Sequence, residues 1–167
     1  IVQSRISSFK NNLITVKAYH NNAELKTQDD SAHRPQMGVI YEKYVTECFK
    51  SGAMDFDDLL LKTNELLTKY PETLAKYQNI FKYILVDEYQ DINFAQKSMV
   101  DQLLKGGSSL WVVGDDDQAI YGWRGSNVKF ILDFEYNYID AKKVILNTNY
   151  RSENKIVIAA NNLAKRF

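Results

Sequence analysis

The stretch LVDEYQD (Leu85–Asp91) places three carboxylates directly after a short apolar run. Asp87 and Glu88 end the run, and Asp91 follows shortly after them. An aspartate at a strand end can hold Mg²⁺, which prefers oxygen ligands and keeps several of its waters. A neighbouring carboxylate can deprotonate the water that attacks a phosphate. These residue types therefore point to phosphoryl transfer to water, with Asp87 as metal ligand and Glu88 as base.

Two further polar clusters follow two later apolar runs. The first contains Asp115–Asp117 and Gln118, and the second contains Tyr150 and Arg151. Because open α/β sheets bind ligands beyond the carboxyl ends of their strands, we expect all three clusters at one edge. There, Gln118 would sense the terminal phosphate and Arg151 would neutralise charge in the transition state. Any one cluster alone is also compatible with a solvated loop or a helix cap.

The glycine-flanked loop AIYGWRGSN (Ala119–Asn127) carries two aromatic side chains and an arginine. Tyr121 and Trp123 can offer faces on which unpaired bases stack, an interaction worth about 1–3 kcal/mol per base. The alternative is a tryptophan that folds back into the core, and composition does not decide between the two.

The second half of the chain alternates strands and helices. The apolar runs Tyr83–Val86, Leu110–Val113 and Val144–Leu146 predict three buried parallel strands. Helices are predicted to begin near Phe94, near Val128 and after the cap Ser152. The last helix would place these side chains on one face: Ile156, Ala160, Leu163 and Phe167.

The first half is predicted to be almost entirely helical. Apolar spacing indicates helices around Val2–Phe9 and Met37–Cys48, and the polar stretch His20–Pro35 is predicted to be a loop. A further helix begins in DFDDLL, and a short helix begins at Pro71. The helix from DFDDLL would have these residues on its apolar face: Phe56, Leu60 and Leu67.

Composition limits the class of protein without defining it. Lys plus Arg and Asp plus Glu number 21 each, so no overall basic surface for nucleic acid is indicated. The single cysteine, Cys48, excludes an internal disulfide, and two histidines make a zinc cluster implausible. No apolar run approaches the ~20 residues that span a bilayer, so we expect a cytoplasmic protein without a membrane partner. Since the chain begins at Ile1, we expect it to be a piece of a longer protein.

Four motifs, in order, resemble the UvrD/Rep/PcrA-type DNA helicases of superfamily 1: DFDDLL, LVDEYQD, VVGDDDQAIYGWRGS and LNTNYRS. The resemblance is clear from Asp55 to about Ser152 and weaker back to Ile1. It implies an α/β fold in which residues 55–167 are part of a RecA-like P-loop NTPase motor domain with a parallel sheet. Residues 1–54 would be a mostly helical accessory subdomain segment, with a loosely placed boundary.

The resemblance also implies an activity. The full-length protein would use ATP and Mg²⁺ to move 3′ to 5′ on single-stranded DNA and to separate duplex at junctions. By resemblance, Asp87 coordinates Mg²⁺, Glu88 is the catalytic base and Gln118 contacts the terminal phosphate. Tyr150 would stack on adenine, and Arg151 would be the arginine finger.

The same resemblance assigns the DNA-facing residues. Tyr121 and Trp123 would lie on the DNA side, with Trp123 stacking on a base and Arg124 anchoring the loop. Gln90 and Asp91 would couple their motif to neighbouring motifs.

One family motif is absent from the chain. It contains no Gly-Lys-Ser/Thr and therefore no phosphate loop, which lies upstream of these motifs in the family. We expect the isolated chain to be inactive as an ATPase, with the remaining helicase domains supplied by the rest of the full-length protein.

The sequence is also compatible with three other functions. The chain could be the helicase portion of a recombination helicase–nuclease, or a non-catalytic module that binds single-stranded DNA. It could also be a metal-dependent nuclease that uses Asp87, Glu88, Asp91 and Asp115–Asp117 around two metals.

Overall fold

The computed structural model describes residues 1–165, which form ten α-helices and two β-strands. The helices of the first half are α1 (Val2–Asn11), α2 (Val16–His20), α3 (Ala23–Ser31), α4 (Met37–Lys50), α5 (Phe56–Lys69) and α6 (Pro71–Ile80). The later elements are β1 (Tyr83–Val86), α7 (Phe94–Leu104), β2 (Ser109–Val112), α8 (Lys129–Leu132), α9 (Phe134–Asn137) and α10 (Asn154–Ala164). The α/β class and the helical first half are as predicted. Within residues 1–165, no helix is long and apolar enough to cross a bilayer.

The two strands form a parallel pair in which Tyr83 lies opposite Ser109 and Val86 lies opposite Val112. Helix α7 makes the crossover that a parallel connection requires. Both predicted strands are confirmed, the second with a shift of one residue, but neither is buried as predicted: Leu85 of β1 is 76% exposed and Trp111 of β2 is 65% exposed. Their carboxyl ends lie at one edge, as the strand-end argument requires.

The third predicted strand, Val144–Leu146, is wrong for the structure described. The segment has no regular secondary structure, and its three side chains are 75–82% exposed. A strand needs a neighbouring backbone to hydrogen-bond, and within residues 1–165 β1 and β2 pair only with each other. An apolar run predicts a strand but does not supply its partner.

Two predicted helices differ from the structure in detail. The helix expected from Val128 is divided into the one-turn helices α8 and α9. Helix α10 begins after Glu153, with no side-chain cap from Ser152. Two side chains of its predicted apolar face, Ile156 and Leu163, are exposed, and Phe167 lies outside the described residues.

The predicted loop His20–Pro35 instead contains helix α3. Asn22 caps its first turn by accepting the backbone N–H of Leu25 at 3.0 Å. Its most buried residue is a carboxylate, Asp29, which pairs with Arg5 of α1 at 3.0 Å. The prediction was wrong because α3 faces the interior with a charged residue, which apolar periodicity does not detect.

The start of α5 follows the sequence prediction, but its buried face agrees with the prediction only at Leu67. Asp55 and Asp58 form a capping box around the first turn. The buried residues of this helix are Asp58, Leu61, Asn64 and Leu67. Phe56 is 89% exposed. Compared with the predicted apolar face, the buried face of α5 is rotated toward Asp58, because the Asp58 carboxylate pairs with the buried ammonium of Lys10 in α1 at 2.9 Å.

The core of the helical half lies where α1, α2 and α4 meet. Its buried residues are Ile6, Phe9, Tyr19, Met37 and Tyr41. Helix α5 packs beside α1 and also against α7, to which Asn64 is joined by a 2.9 Å hydrogen bond to the carbonyl oxygen of Ala95. The helical half therefore supports the crossover helix of the two-stranded sheet.

Candidate nucleotide and DNA site

Strand β1 ends at a tight turn that carries Asp87 and Glu88. The Oδ1 atom of Asp87 accepts the backbone N–H of Glu88 at 2.9 Å. Glu88 has φ of 49° and ψ of 46°, a left-handed conformation that costs a non-glycine residue about 1–2 kcal/mol. Such strain persists where surrounding structure enforces it and is found at functional sites. Both carboxylates are exposed at the sheet edge.

Aromatic packing holds the residues after Glu88 in place. Tyr89 is fully buried, and its ring lies edge-on to Phe134 of α9 at 5.6 Å. Burial raises the pKa of Tyr89, and the nearby Asp101 carboxylate raises it further, so its hydroxyl stays neutral. Tyr138 donates to Asp101 of α7 at 3.0 Å. The turn therefore packs against α9, and the residue that follows α9 is hydrogen-bonded to α7.

The loops after β1 and β2 are tied together through Gln90. Its side-chain amide, 1% exposed, donates to Glu88 Oε2 at 2.8 Å and accepts the Asp115 N–H at 3.0 Å. In addition, the Tyr89 N–H donates to the Val113 carbonyl oxygen at 2.9 Å. The first two predicted clusters thus lie together.

Gln118 is held within its own loop by the Asp115 carboxylate. Its Nε2 donates to Asp115 Oδ2 at 2.6 Å, while Asp115 Oδ1 accepts the Asp117 N–H at 3.1 Å. Gly114, which precedes Asp115, packs closely against this link, because a Cβ there would lie 2.6 Å from Gln90 Oε1. Gln118 itself is exposed and available to a ligand at this edge.

The aromatic loop presents its rings to solvent. Trp123 is 75% exposed, so the alternative of a core tryptophan does not apply in these residues. The guanidinium carbon of Arg124 lies 4.6 Å from the Trp123 ring centroid and 5.2 Å from that of Tyr121. Stacking of Arg124 on both rings fixes their orientation by cation–π attraction.

The aromatic loop is also attached to the residues that follow LVDEYQD. The Asn127 N–H donates to the Ile92 carbonyl oxygen at 3.1 Å, and Asn93 pairs with Ser126 in an isolated bridge. The Asn93 side chain caps α7 and donates to Asn11 of α1 at 2.8 Å. One framework therefore supports both the carboxylate turn and the aromatic loop.

The third predicted cluster is not brought into this arrangement. Tyr150 is 94% exposed, and the Asn149 side chain accepts the N–H groups of Arg151 and Ser152 at 2.9 Å. Within residues 1–165, neither Tyr150 nor Arg151 is hydrogen-bonded or ion-paired to Asp87, Glu88 or Gln118 through its side chain. The Val144–Leu146 segment that precedes them is not paired with β1 or β2 in residues 1–165.

The carboxylates at this edge fit a Mg²⁺ site in which a single aspartate is the protein ligand. Among the described residues, no three His, Cys, Asp or Glu side chains lie close enough to hold a metal. A single aspartate such as Asp87 suits Mg²⁺, which keeps several waters and also binds phosphate oxygens. A two-metal nuclease needs more protein ligands than this, so the arrangement does not favour the nuclease alternative.

The resemblance anticipated that Gln90 couples its motif to neighbouring motifs, but the sequence did not predict its contacts or those of Gly114 and Asp115. The available signals were an amide placed among carboxylates after the first apolar run and a glycine directly after the second. Neither signal reveals that the two loops touch, because their contact depends on the pairing of β1 with β2.

A carboxylate pair at a parallel sheet edge, joined to an exposed glutamine and an aromatic loop, defines an α/β domain of the helicase motor class. The chain belongs to the UvrD/REP helicase family, whose N-terminal domain matches residues 1–139.

Three relatives named ATP-dependent DNA helicase PcrA are similar over most of the chain. The Staphylococcus epidermidis protein is 45% identical over 148 residues, which cover 85% of this chain and 20% of the relative. The Leuconostoc citreum protein is 43% identical over 156 residues, 93% of this chain and 20% of the relative. The Staphylococcus aureus protein is 42% identical over 160 residues, 96% of this chain and 21% of the relative. The chain thus spans about a fifth of their length.

Proposed function

We propose that the full-length protein is an ATP-dependent DNA helicase that couples ATP hydrolysis to 3′–5′ translocation on single-stranded DNA and to duplex unwinding. The observation that carries this proposal is the hydrogen-bonded link from Glu88 through Gln90 to the Gln118 loop. The exposed Trp123 follows in the same loop, so one framework holds both a phosphate-facing and a base-facing group. Membership of a helicase family supports the assignment.

On the nucleotide side, Asp87 and Glu88 have different roles. Asp87 would hold Mg²⁺ through its carboxylate, and Mg²⁺ bound there supplies positive charge to the phosphate oxygens. Glu88, held by Gln90, would deprotonate the attacking water. Gln118 would exchange its bond to Asp115 for one to the terminal phosphate.

Two further residues complete the nucleotide assignment by family membership. Tyr150 would stack on adenine, and Arg151 would neutralise charge in the transition state. Both side chains are exposed, which leaves them free to contact ATP. In this proposal residues 55–167 belong to the motor domain and residues 1–54 to an accessory subdomain.

On the DNA side, Trp123 and Tyr121 would stack on unpaired bases, with Arg124 holding both rings. Stacking tolerates every base and therefore suits a motor that passes along single-stranded DNA to a duplex junction. Because the net charge is zero, we assign the contact to stacking rather than to a broad basic surface.

The isolated chain is expected to lack ATP turnover, since it contains no Gly-Lys-Ser/Thr to hold the phosphates. Phosphate release by the purified chain, with Mg²⁺ and oligo-dT, should equal that of buffer. DNA-stimulated release that disappears on Glu88→Gln would contradict this expectation.

Arg151→Ala in the full-length protein should lower ATP turnover by about 10³-fold or more, the range found for arginine fingers. Affinity for oligo-dT should stay within about twofold of wild type, because Arg151 is assigned to the nucleotide side. Steady-state phosphate release and fluorescence anisotropy measure the two quantities.

Trp123→Ala should have the opposite effect in the same assays. Loss of stacking should weaken oligo-dT binding by about 1–3 kcal/mol, and DNA-free ATP turnover should persist. Tyr136→Ala is the matched control, because Tyr136 is an exposed aromatic residue in α9 outside the loop. If Arg151→Ala and Trp123→Ala lost turnover and DNA binding alike, the division of roles would be wrong.

A further inference from the structure

Asn11, the last residue of α1, is a buried amide whose hydrogen bonds reach two other parts of the chain. Its Nδ2 donates to Asp57 Oδ1 in α5 at 3.0 Å and to Ser7 Oγ in its own helix at 3.3 Å. Its Oδ1 accepts from Asn93 Nδ2 at 2.8 Å. With 6% exposure, the amide has little access to water that could replace these partners. Its donor end is therefore bound to α5, and its acceptor end is bound to Asn93.

Asn93 uses each of its polar groups for a separate contact. Its side-chain oxygen accepts the Gln96 N–H at 2.9 Å, and its backbone N–H donates to the Gln96 side chain at 2.9 Å. These two bonds form the capping box of α7. The remaining group, Nδ2, donates to Asn11. Asn93 is thus held by α7 on one side and by α1 on the other.

The aromatic loop ends against Asn93 and the residue before it. Ser126 pairs with Asn93 in an isolated antiparallel bridge, and the Asn127 N–H donates to the Ile92 carbonyl oxygen at 3.1 Å. Ile92 is 7% exposed, so this attachment lies at the edge of the interior. Trp123, in contrast, is 75% exposed and lies three residues before Ser126. The orientation of the Trp123 ring therefore depends on how the end of the loop is held.

We propose that Asn11 is a positioning residue that, through Asn93, holds the end of the aromatic loop in the orientation in which Trp123 stacks on single-stranded DNA. The inference rests on the proposed function, in which Trp123 stacks on unpaired bases, and it adds a residue that lies outside the four motifs. A loosely held loop must be ordered when DNA binds, and this ordering costs entropy. Attachment to α1 lowers that cost before DNA arrives.

The consequence is a role in DNA affinity for the first helix of the chain. Helix α1 contributes to the grip on single-stranded DNA without contacting it, because it supports the residue on which the aromatic loop ends. A purely structural role for Asn11, in which it only fastens α1 to α5, has a different consequence. Loss of the amide would then lower stability and the amount of active protein, but not the affinity of the active protein for DNA.

The first test is Asn93→Ser in the full-length protein. Serine keeps the capping box with Gln96, but it has no amide to donate to Asn11 and leaves the charge unchanged. The concentration of oligo-dT that gives half-maximal stimulation of ATP turnover should rise by about threefold to tenfold, the effect of losing one hydrogen bond. Both kcat at saturating oligo-dT and DNA-free turnover should stay within about twofold of wild type.

The matched control is Asn22→Ser. Asn22 also caps a helix, since its side chain accepts the Leu25 N–H at 3.0 Å at the start of α3. The half-maximal concentration of oligo-dT should be that of wild type. If Asn22→Ser raised it as Asn93→Ser does, the effect would come from a general loss of stability, and the positioning role would be overturned.

Asn11→Ala removes the same bond from its other side and should raise the half-maximal concentration by a similar factor. Its control is Asn12→Ala, because Asn12 is exposed and donates to the Ser8 carbonyl oxygen at 2.8 Å at the end of α1. The double variant of Asn11→Ala and Asn93→Ser should lose less affinity than the product of the two single losses, because both changes break one bond. Fully multiplicative losses would contradict the proposal.

Trp123→Ala separates this inference from the function on which it rests. If Trp123→Ala kept wild-type affinity for oligo-dT, the stacking assignment itself would fail, and the positioning role with it. If Trp123→Ala weakened binding while Asn93→Ser and Asn11→Ala kept the wild-type half-maximal concentration, only the positioning role would fail. Should Asn11→Ala not fold, Asn93→Ser decides alone by the same criterion.

A last comparison shows whether Asn93 acts through the tryptophan. The double variant of Trp123→Ala and Asn93→Ser should bind oligo-dT within about twofold of Trp123→Ala alone, because the ring that Asn93 positions is already absent. A further loss of about threefold or more would show that Asn93 supports a different DNA contact and would overturn the proposal.

Discussion

Glu88→Gln in the full-length protein is expected to lower DNA-stimulated ATP hydrolysis by about 10²–10⁴-fold, the usual contribution of a positioned general base. The amide has the shape of the carboxylate but cannot take the proton of the attacking water. Its oxygen can still accept from Gln90, and the left-handed backbone at Glu88 is unchanged. Affinity for ATP and for oligo-dT should therefore stay near wild type. Phosphate release and anisotropy measure these quantities.

Glu135→Gln is the control for removing a carboxylate. Glu135 is exposed in α9, and its carboxylate pairs with Lys143 at 3.6 Å. Its turnover should equal that of wild type. Turnover of Glu88→Gln within about threefold of wild type would contradict the base assignment. Mg²⁺-dependent DNA cleavage without ATP, lost in Glu88→Gln, would support the nuclease alternative instead.

Local sequence signals predicted the parts of the site that depend on neighbouring residues. An apolar run followed by polar residues identified β1 with Asp87 and β2 with the Gln118 cluster. The same signal was wrong for a strand at Val144–Leu146, because this run has no paired neighbour among the described residues. A strand-end cluster reaches the edge only when its strand is paired.

Ion pairs between residues distant in sequence explain the two wrong predictions in the helical half, the missed helix α3 and the buried face of α5. Helix α3 was missed because its interior contact is the ion pair between Asp29 and Arg5. The face of α5 was rotated because Asp58 turns inward to Lys10. In each of these two ion pairs, the two residues lie far apart in sequence, and apolar periodicity does not detect such a pair. The capping box at the start of α5, by contrast, is local and was visible as DFDD.

The ion network around Lys10 joins α1 to the DFDDLL segment. Lys10 is completely buried, and its ammonium lies 2.7 Å from Asp55 and 2.9 Å from Asp58. It also lies 4.8 Å from the Tyr44 ring of α4, whose hydroxyl donates to Asp55 at 2.7 Å. Three helices thus meet at one charge, so its removal affects all of them.

Lys10→Met should destabilise this region by about 3–5 kcal/mol, because it leaves the buried Asp58 carboxylate and its neighbour Asp55 without their cation. Hydrogen exchange of α1 and α5 amides in the full-length protein measures the local free energy of opening. Lys50→Met is the control, since Lys50 pairs with Glu47 while both side chains are more than half exposed. An exposed pair contributes about 0–1 kcal/mol. A loss below about 1 kcal/mol in Lys10→Met would contradict the importance of the buried charge.

The ion network around Lys10 also leads us to expect a change in the stability of α5 at acid pH. Burial acts to raise the pKa of Asp55, but hydrogen bonds from Lys10 and Tyr44 outweigh it and hold the pKa below its ordinary value of 3.8. A carboxyl group with a lowered pKa stabilises the fold above that ordinary value, and the stabilisation is lost as the pH falls through the folded-state pKa. Lys10→Met removes the first of these donors, so the loss of α5 protection below pH 3.8 should be smaller than in wild type. An acid dependence identical to that of wild type would show that Lys10 does not set the ionisation of Asp55.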